Sequence, residues 1–334
     1  MPLNCQSLDG ATFGKLVSFD GANDAKAVVE AAEAEPGTLT DALYAGNGFL
    51  LLKGMCGITQ EPALLMRISQ LFGNEIENYR ETQMRPTSIH SEVPEILLVS
   101  NMPPVDRPPP KKPAPLLTKD GNLPVQFPHR RGWHTDQSYR RPPPDISLFY
   151  ATIPSPKGQG QTLYADCIAA YEALPIELKS RVDDLIGIHV RPWSGRTEDA
   201  ARAGETPVPL GPHEQPQQQP VVRIHPVTGK RSLYLCEAGQ MDWVDGPFVD
   251  MEKGPDSDGA KLLYEIMSHL TQPQFVYAHD WDEGDLVVYD NRTLLHAATW
   301  FDGDKHGRLM WRTTVSGNPG AEYEGERKSW LAAE

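Results

Sequence analysis

Short runs of leucine, β-branched and aromatic residues, separated by turn residues, dominate the hydrophobic pattern of this chain. Apolar runs bounded by Gly, Pro, Asn or Asp are typical of β-strands. They predict strands at 48–54, 95–101, 145–152, 161–166, 186–190, 221–225, 231–236, 274–280, 285–291 and 309–317. Most of these segments lie in the second half of the chain, which the pattern therefore predicts to be strand-dominated.

Apolar positions at helical spacing occur mainly in three segments, 61–73, 168–185 and 258–270. These segments flank groups of strands and do not alternate strictly with them. A doubly wound sheet requires that alternation, so the pattern favours an α+β, mainly β fold. We expect a double-stranded β-helix core (a jelly roll) with flanking helices and long inserted loops.

Two Pro-rich, polar stretches, 103–132 and 192–220, interrupt the pattern, and neither is typical of regular structure. We expect residues 1–334 to form a single catalytic domain in which at least one insertion covers the pocket, as long irregular loops often do. Basic residues near the first insertion could attract an anionic substrate, or could simply keep a loop solvated. They are Lys111, Lys112, Lys119, Arg130 and Arg131.

Composition limits the classes of protein to which this chain can belong. Its 334 residues are 39% hydrophobic and 23% charged, without an apolar run long enough to span a membrane. The first residues lack the features of a secretory signal, so we expect a cytoplasmic protein. Four dispersed cysteines predict neither a disulfide framework nor a thiolate zinc site. A net charge of -14 argues against nucleic acid; we expect a small-molecule partner and leave a homo-oligomer open.

The segment RGWHTDQSY carries His134 and Asp136 two residues apart. In an extended strand both would face the same side and could bind one metal ion, although a histidine paired with its neighbouring carboxylate is an alternative. Downstream, His296 lies in the apolar LLHAA, where, taken singly, a core histidine bonded to backbone is the more common case. Two histidines and one carboxylate on one face of a metal are typical of non-haem iron(II) oxygenases.

Two arginines, Arg308 and Arg312, follow in the strand-like RLMWRTTVSG. Their spacing places both on one face of a strand. A guanidinium group beside the metal can bind the distal carboxylate of a 2-oxo diacid through two parallel hydrogen bonds. Taken alone, each arginine is more often an exposed or ion-paired surface residue.

Four motifs in order, GWHTD, GQTLYAD, GDLVVYDNRTLLHAA and GRLMWRTTVSG, resemble those of the taurine dioxygenase family of 2-oxoglutarate-dependent oxygenases. The resemblance covers about residues 48–317. It implies an Fe(II) site formed by His134, Asp136 and His296. It also implies 2-oxoglutarate and O2 as co-substrates, which are converted to succinate and CO2.

The same resemblance implies contacts for the co-substrate and the substrate. Thr162 and Arg308 match the residues that hold the C5 carboxylate of 2-oxoglutarate. Arg312 matches an arginine that helps to bind the anionic head of the substrate in taurine dioxygenase. That enzyme's early substrate-binding His and Tyr fall near Arg85 and Ser88, so Arg85 is a candidate substrate contact and taurine is not the expected substrate.

Two segments depart from the family pattern. The chain reads LYLCEAGQ where many relatives have Val-Asn after the aromatic residue of the strand, and a long basic, Pro-rich segment precedes the HxD pair. We therefore expect a substrate of its own, small and anionic or amino-acid-like. Hydroxylation of an unactivated C–H bond is the default reaction, with desaturation or ring closure as alternatives. Halogenation is not expected, because halogenating relatives lack the carboxylate that Asp136 supplies.

Two other classes of function remain open. A zinc hydrolase could use the same His-Asp-His site with an open coordination position. It would have no need for Thr162 and Arg308, and no further Glu is placed as a general base. A non-catalytic jelly-roll binding protein could also keep the metal pocket, and only a test of turnover separates it from an enzyme.

Overall fold

A computed structural model of the chain describes residues 3–19, 24–35, 37–82, 84–112, 127, 130–237 and 239–331. The strands in this described part are β1 (Leu3–Ser7), β2 (Lys15–Phe19), β3 (Phe49–Leu52), β4 (Glu75–Ile76), β5 (Leu97–Ser100), β6 (Ile146–Ile153), β7 (Thr162–Asp166), β8 (Ile186–His189), β9 (Gln217–Pro220), β10 (Val222–Ile224), β11 (Arg231–Leu233), β12 (Val276–His279), β13 (Leu286–Asp290), β14 (Leu294–Ala298) and β15 (Leu309–Ser316). The helices are α1 (Ala25–Ala34), α2 (Thr38–Ala45), α3 (Ala63–Gln70), α4 (Cys167–Glu172), α5 (Ile176–Val182), α6 (Glu198–Ala203) and α7 (Asp258–Leu270).

Two main sheets organise the fold. The larger has the order β1-β2-β3-β13-β6-β15-β4, and β5 also pairs with β15. All its pairings are antiparallel except that of β2 with β3. The smaller sheet has the order β12-β7-β14 and is antiparallel. Two further strand pairs, β8-β9 and β10-β11, complete the described β structure.

The two main sheets pack against each other and carry helices on their outer faces. Phe49 and Val287 of the larger sheet share a buried cluster with Tyr164 of the smaller. The next residue along β3, Leu50, points the other way into a core shared with α1, α2 and α3. Likewise Leu163 of β7 packs with α4 and α7. Because both faces of the central strands are buried, they appear in the sequence as continuous apolar runs.

Each of the ten strand segments expected from the sequence contains a strand, and α3 and α7 lie in the expected helical segments. The segment 168–185 forms two helices, because Pro175 stands between α4 and α5 and its backbone is extended, with ψ of 142°. The pattern did not predict β1, β2, β4, β9, β14, α1, α2 or α6. Each of these elements has ten residues or fewer and so offers few positions from which a hydrophobic period can be recognised.

The expectation that the second insertion, 192–220, lacks regular structure is wrong. It contains α6, which begins where the Thr197 hydroxyl accepts a hydrogen bond from the Ala200 N–H (3.3 Å) and ends at Gly204, in the left-handed region. It also contains β9, a strand of the polar sequence QQQP that pairs with β8. Gln219 is buried in β9, and its amide donates to the carbonyl oxygens of Ser138 and Arg140, each at 2.8 Å.

None of the helices in the described part of the chain combines the length and the apolar character that a membrane span requires. The four cysteines are free thiols. Most of the first insertion, residues 113–126, 128 and 129, lies outside the described part of the chain.

Candidate metal centre and co-substrate pocket

The two candidate ligand histidines lie directly opposite each other. His296 is the central residue of β14, which pairs with β7. His134 faces it across an isolated antiparallel bridge, in which the His134 N–H donates to the His296 carbonyl (2.9 Å) and the His296 N–H donates back (2.8 Å). Residues that are paired in this way present their side chains on the same face. The two imidazole centroids are accordingly 4.2 Å apart.

Asp136 completes the cluster. Its Oδ1 lies 4.0 Å from Nε2 of His134 and 3.9 Å from Nε2 of His296. Its Oδ2 accepts hydrogen bonds from the Tyr289 hydroxyl (2.6 Å) and the Ser147 hydroxyl (3.0 Å), while its Oδ1 faces the histidines and accepts from Nη1 of Arg312. One potential ligand atom from each of the three residues lies within 4.8 Å of the others, close enough for one ion between them.

The expected extended strand at the HxD pair is not observed. His134 forms only the single bridge, and the chain turns from Asp136 onward. The aspartate is held instead by Asn291, whose side-chain oxygen accepts from the Asp136 N–H (3.1 Å) and whose carbonyl accepts from the Thr135 hydroxyl (2.7 Å). The two side chains converge, but through this loop geometry and not through a regular pleat.

The protonation states of the three residues suit a metal ion. Burial and the adjacent His134 lower the pKa of His296 to about 3, and burial lowers that of His134. Burial would raise the pKa of Asp136, but Arg312 and the two histidines hold it well below its usual range. Neutral imidazoles and a carboxylate are the forms that bind metals. Two nitrogens and one oxygen on one face are a donor set that fits Fe(II).

A cavity of about 370 Å³ lies in front of the cluster. Among the described residues, its lining includes three arginines, Arg107, Arg308 and Arg312, and no Asp or Glu. The rest of the wall is largely apolar, with Val99, Pro108, Pro109, Pro110, Phe149, Trp193, Ala298 and Phe301. A protein with a net charge of -14 therefore encloses a locally cationic pocket, which favours an anionic ligand.

Arg308 is a buried cation without a counter-ion in the described part of the chain. It is 7% exposed, and its Nε and Nη2 are buried and form no hydrogen bond there. Burial lowers its pKa to about 10, so the group stays charged at neutral pH. Thr162 lines the same cavity, and its hydroxyl accepts a hydrogen bond from the Trp281 indole (3.0 Å). A buried guanidinium with free donors fits a carboxylate ligand.

The two arginines predicted to bind substrate differ in position. Arg312 lines the cavity, and its Nη1 donates to Oδ1 of Asp136 at 2.5 Å, while its Nε is buried without a hydrogen-bond partner among the described residues. Arg85 is exposed and precedes the 3-10 helix Pro86–Ser88. It is not among the residues that line the cavity.

Both insertions contribute to the cavity wall, through residues that the sequence patterns did not single out. The described part of the first insertion supplies Arg107 and three prolines, and its position is fixed by a hydrogen bond from the Arg107 N–H to the Ser100 carbonyl (2.9 Å). The second supplies Trp193, which is 81% exposed and has a φ of 65°. An exposed tryptophan in the left-handed region is uncommon, and its place beside the pocket makes Trp193 a candidate ligand contact.

The basic residues noted in the sequence lie elsewhere. Lys112 stacks over the Trp300 ring at 4.4 Å, and Lys111 is exposed. Arg130 is buried, and Arg131 forms ion pairs with Glu198 and Glu237. Lys119 lies outside the described residues. None of the four described residues lines the cavity.

Comparison with known sequences gives one family. The family model "Taurine catabolism dioxygenase TauD, TfdA family" matches residues 17–314. An (S)-phenoxypropionate/alpha-ketoglutarate-dioxygenase of Sphingobium herbicidovorans is 34% identical over 57% of this chain and 64% of its own length. An alpha-ketoglutarate-dependent 2,4-dichlorophenoxyacetate dioxygenase of Cupriavidus pinatubonensis is 34% identical over 55% of this chain and 59% of its own. The matched region thus spans less than two thirds of each relative.

Solved structures show the same architecture over nearly the whole chain. The crystal structure of AAD-2 in complex with Mn(II) and N-oxalylglycine matches with a TM-score of 0.64 and 26% identity, covering 95% of this chain and 98% of that one. A putative alpha-ketoglutarate-dependent taurine dioxygenase from Burkholderia xenovorans matches with a TM-score of 0.65 at 22% identity, over 95% and 90% of the chains. The jelly-roll fold expected from the sequence is confirmed.

Proposed function

Because the chain belongs to the taurine catabolism dioxygenase TauD, TfdA family, we propose that it is an Fe(II)- and 2-oxoglutarate-dependent dioxygenase acting on a small anionic substrate. Bound Fe(II), 2-oxoglutarate and O2 would together oxidise an unactivated C–H bond of the substrate. Succinate and CO2 would be the co-products. Hydroxylation is the default outcome. Desaturation and ring closure remain alternatives that depend on how the substrate lies.

The observation that carries this proposal is the unpaired Arg308 beside the His-Asp-His cluster. His134, Asp136 and His296 would hold the metal, and Arg308 and Thr162 would hold the distal carboxylate of 2-oxoglutarate. A buried guanidinium with free donors is unfavourable unless a ligand pairs with it. A hydrolase has no need for such a group, and the described residues that line the cavity include no Asp or Glu placed as a general base for zinc chemistry.

The remaining two arginines and the apolar wall suggest the substrate class. Arg107 and Arg312 supply positive charge for an oxyanion head, while Phe149, Phe301 and Trp193 suit an apolar body. Relatives named for phenoxypropionate, 2,4-dichlorophenoxyacetate and sulfate esters fit this description. We therefore propose a small carboxylate or sulfate ester with an apolar body.

These residues perform binding and positioning. Arg308 and Thr162 fix one end of the co-substrate, Arg107 and Arg312 orient the substrate, and the prolines of the first insertion help to exclude water from the cavity. Holding the reacting C–H group near the metal reduces the entropic part of the barrier. The free cysteines suit a reducing compartment, and we propose the cytoplasm as its location.

The cofactor assignment can be tested directly. Protein purified without oxygen is mixed with Fe(II) and 2-oxoglutarate, and the visible charge-transfer absorption of the complex is recorded before air is admitted and succinate is assayed. We expect the band and succinate in the wild type, neither in His296→Ala, and strong losses in Arg308→Ala. Zinc binding without a band would instead favour a hydrolase, and a band without turnover across oxyanion substrates would favour a binding protein.

The substrate assignment has its own test. Arg312→Ala should raise the KM for the primary substrate far more than it raises the apparent Kd for 2-oxoglutarate, because Arg308 still holds the co-substrate. Loss of a charged hydrogen bond of this kind corresponds to roughly a 10- to 100-fold change. Arg308→Ala should show the opposite pattern. Equal losses for both ligands in either variant would contradict the division of roles.

A further inference from the structure

The two segments that depart from the family pattern contact each other beside the metal centre. Glu237 lies in LYLCEAGQ, and Arg131 ends the basic segment that precedes the HxD pair. Nη1 of Arg131 donates to Oε1 of Glu237 at 2.8 Å. Glu237 is only 2% exposed, although it is not placed as a metal ligand. A carboxylate buried this deeply has to be paired, and its partners indicate its role.

Glu237 forms one hydrogen bond with each of the three residues that precede His134. Besides the bond from Arg131, its Oε2 accepts from the Gly132 N–H at 2.7 Å. Its own N–H donates to the Trp133 carbonyl at 2.8 Å. We call this arrangement of Arg131, Gly132 and Trp133 around Glu237 the Glu237 clamp. It fixes a stretch of backbone that belongs to no strand.

The clamp acts on the orientation of the ligand imidazole through Gly132. The Gly132 carbonyl lies 2.8 Å from Nδ1 of His134 and can only accept, so Nδ1 carries the proton. Nε2 is then left with its lone pair, directed toward Asp136. Gly132 has a φ of 88°, a region that favours glycine, so the carbonyl reaches this position through an unusual backbone conformation.

We infer that Glu237 is a positioning residue of the metal centre, which holds the Gly132 carbonyl in place and thereby fixes the tautomer and the ring orientation of His134. Outer hydrogen-bond partners of ligand histidines commonly tune metal affinity in this way. The inference rests on the metal centre of the proposed function. It adds a residue that no ligand motif of the chain contains.

A second buried carboxylate supplies a matched control. Glu198 of α6 is also 2% exposed, and its Oε2 accepts from the same Nη1 of Arg131 at 2.8 Å. It also accepts from the Tyr264 hydroxyl (2.6 Å) and from Arg202 (3.0 Å), but it forms no bond with Gly132. Loss of Glu198 therefore removes a comparable buried carboxylate and its ion pair with Arg131 without releasing the Gly132 N–H.

The test measures Mn(II) affinity, the visible spectrum of the Co(II)-loaded protein and thermal stability in four variants. Glu237→Ala should weaken Mn(II) binding about 10- to 100-fold and alter the Co(II) spectrum. Glu237→Gln should stay within a few-fold of wild type, because its amide oxygen still accepts from Gly132. Glu198→Ala should keep wild-type affinity and spectrum even where its Tm falls.

Glu237→Asp covers the case in which the alanine variant does not fold. It keeps the charge but withdraws the carboxylate by one methylene, so we expect several-fold weaker Mn(II) binding. Unchanged affinity in every folded Glu237 variant would overturn the inference, as would losses in the Glu237 and Glu198 variants that merely follow their Tm. If the wild type binds Mn(II), either of these two results leaves the proposed function standing. A wild type that binds no Mn(II) refutes both the inference and the proposed function.

Discussion

The two candidate ligand histidines are held in different ways, although each faces the other across one bridge. His296 lies in a fully paired strand whose residues, apart from the last, are buried. Its backbone is fixed by the β14–β7 ladder, and its Nδ1 forms no hydrogen bond with a described residue. His134 lies in a stretch without a ladder, and its Nδ1 is bonded to Gly132. One ligand is positioned by secondary structure, the other by side chains.

This difference predicts which substitutions weaken metal binding without unfolding the protein. Regular pairing distributes the positioning of His296 over many backbone hydrogen bonds, so no single side chain controls it. His134 depends on a few specific contacts, chiefly the Glu237 clamp. We therefore expect substitutions around His134 to change metal affinity at modest cost in stability, and substitutions around β14 to act mainly through stability.

Removal of either candidate ligand histidine should cause the largest loss of Mn(II) affinity, and the two losses should be similar. His134→Ala and His296→Ala each delete a nitrogen donor from a three-residue site. Both should weaken Mn(II) binding by more than the roughly 100-fold expected from losing an outer hydrogen-bond partner. Calorimetric titration measures the affinity. His306→Ala, on a loop outside the cavity lining, is the control and should bind like wild type. Retention of binding in either ligand variant would contradict the assigned ligands.

A change at Gly132 should have an intermediate effect and act on the His134 side alone. Gly132→Ala forces a Cβ into the left-handed region, which costs about 1–2 kcal/mol although the space around it is open. Relaxation of that strain should move the carbonyl away from His134 and weaken Mn(II) binding several-fold.

Gly158→Ala is a matched control for this strain. Gly158 has a φ of 78° and equally open surroundings, but it lies away from the metal cluster. Denaturant titration should show similar losses of stability in both variants, with weaker metal binding only in Gly132→Ala. Equal metal affinity in the two variants would show that the Gly132 carbonyl does not position His134.

The smallest effect on the metal is expected at Asp145, which is linked to the centre only indirectly, through the backbone of Asn291. Its carbonyl accepts from the Asn291 N–H, and its Oδ2 accepts from the Asn318 N–H at 2.6 Å. Burial raises the pKa of Asp145 from 3.8 to about 6 despite the nearby Arg292. The folded state thus holds this proton more tightly than the unfolded state, and stability from this group is lost as pH rises through about 6.

Asp145→Asn removes that dependence. The free energy of unfolding of the variant, minus that of wild type, should increase by on the order of 1–3 kcal/mol between pH 4 and pH 7. Denaturant titrations at several pH values measure it. Mn(II) affinity at fixed pH should not change. A difference that does not change with pH would show that Asp145 ionises normally. Weaker metal binding would show that the contact of Asp145 with Asn291 helps to position Asp136.

Much of the fold follows from local patterns. Strands buried on both faces, such as β3 and β13, are continuous apolar runs, and the amphipathic α7 was predicted to the residue. The polar β9 could not be found in this way, because Gln219 is stabilised by carbonyl groups about 80 residues away in the sequence. The helix α6 is held in part by Glu198, whose partners come from two other segments.

The chain's motifs also predict the types of the candidate ligands and their order, which are local properties of HxD and of the apolar segment around His296. Only the tertiary structure decided that His134 and His296 face each other, that Arg308 lacks a counter-ion among the described residues, and that Arg107 and Glu237 lie beside the centre. Hydrophobic periodicity reflects which face of an element is buried. The partners of buried polar groups are chosen by long-range packing, and no local pattern contains them.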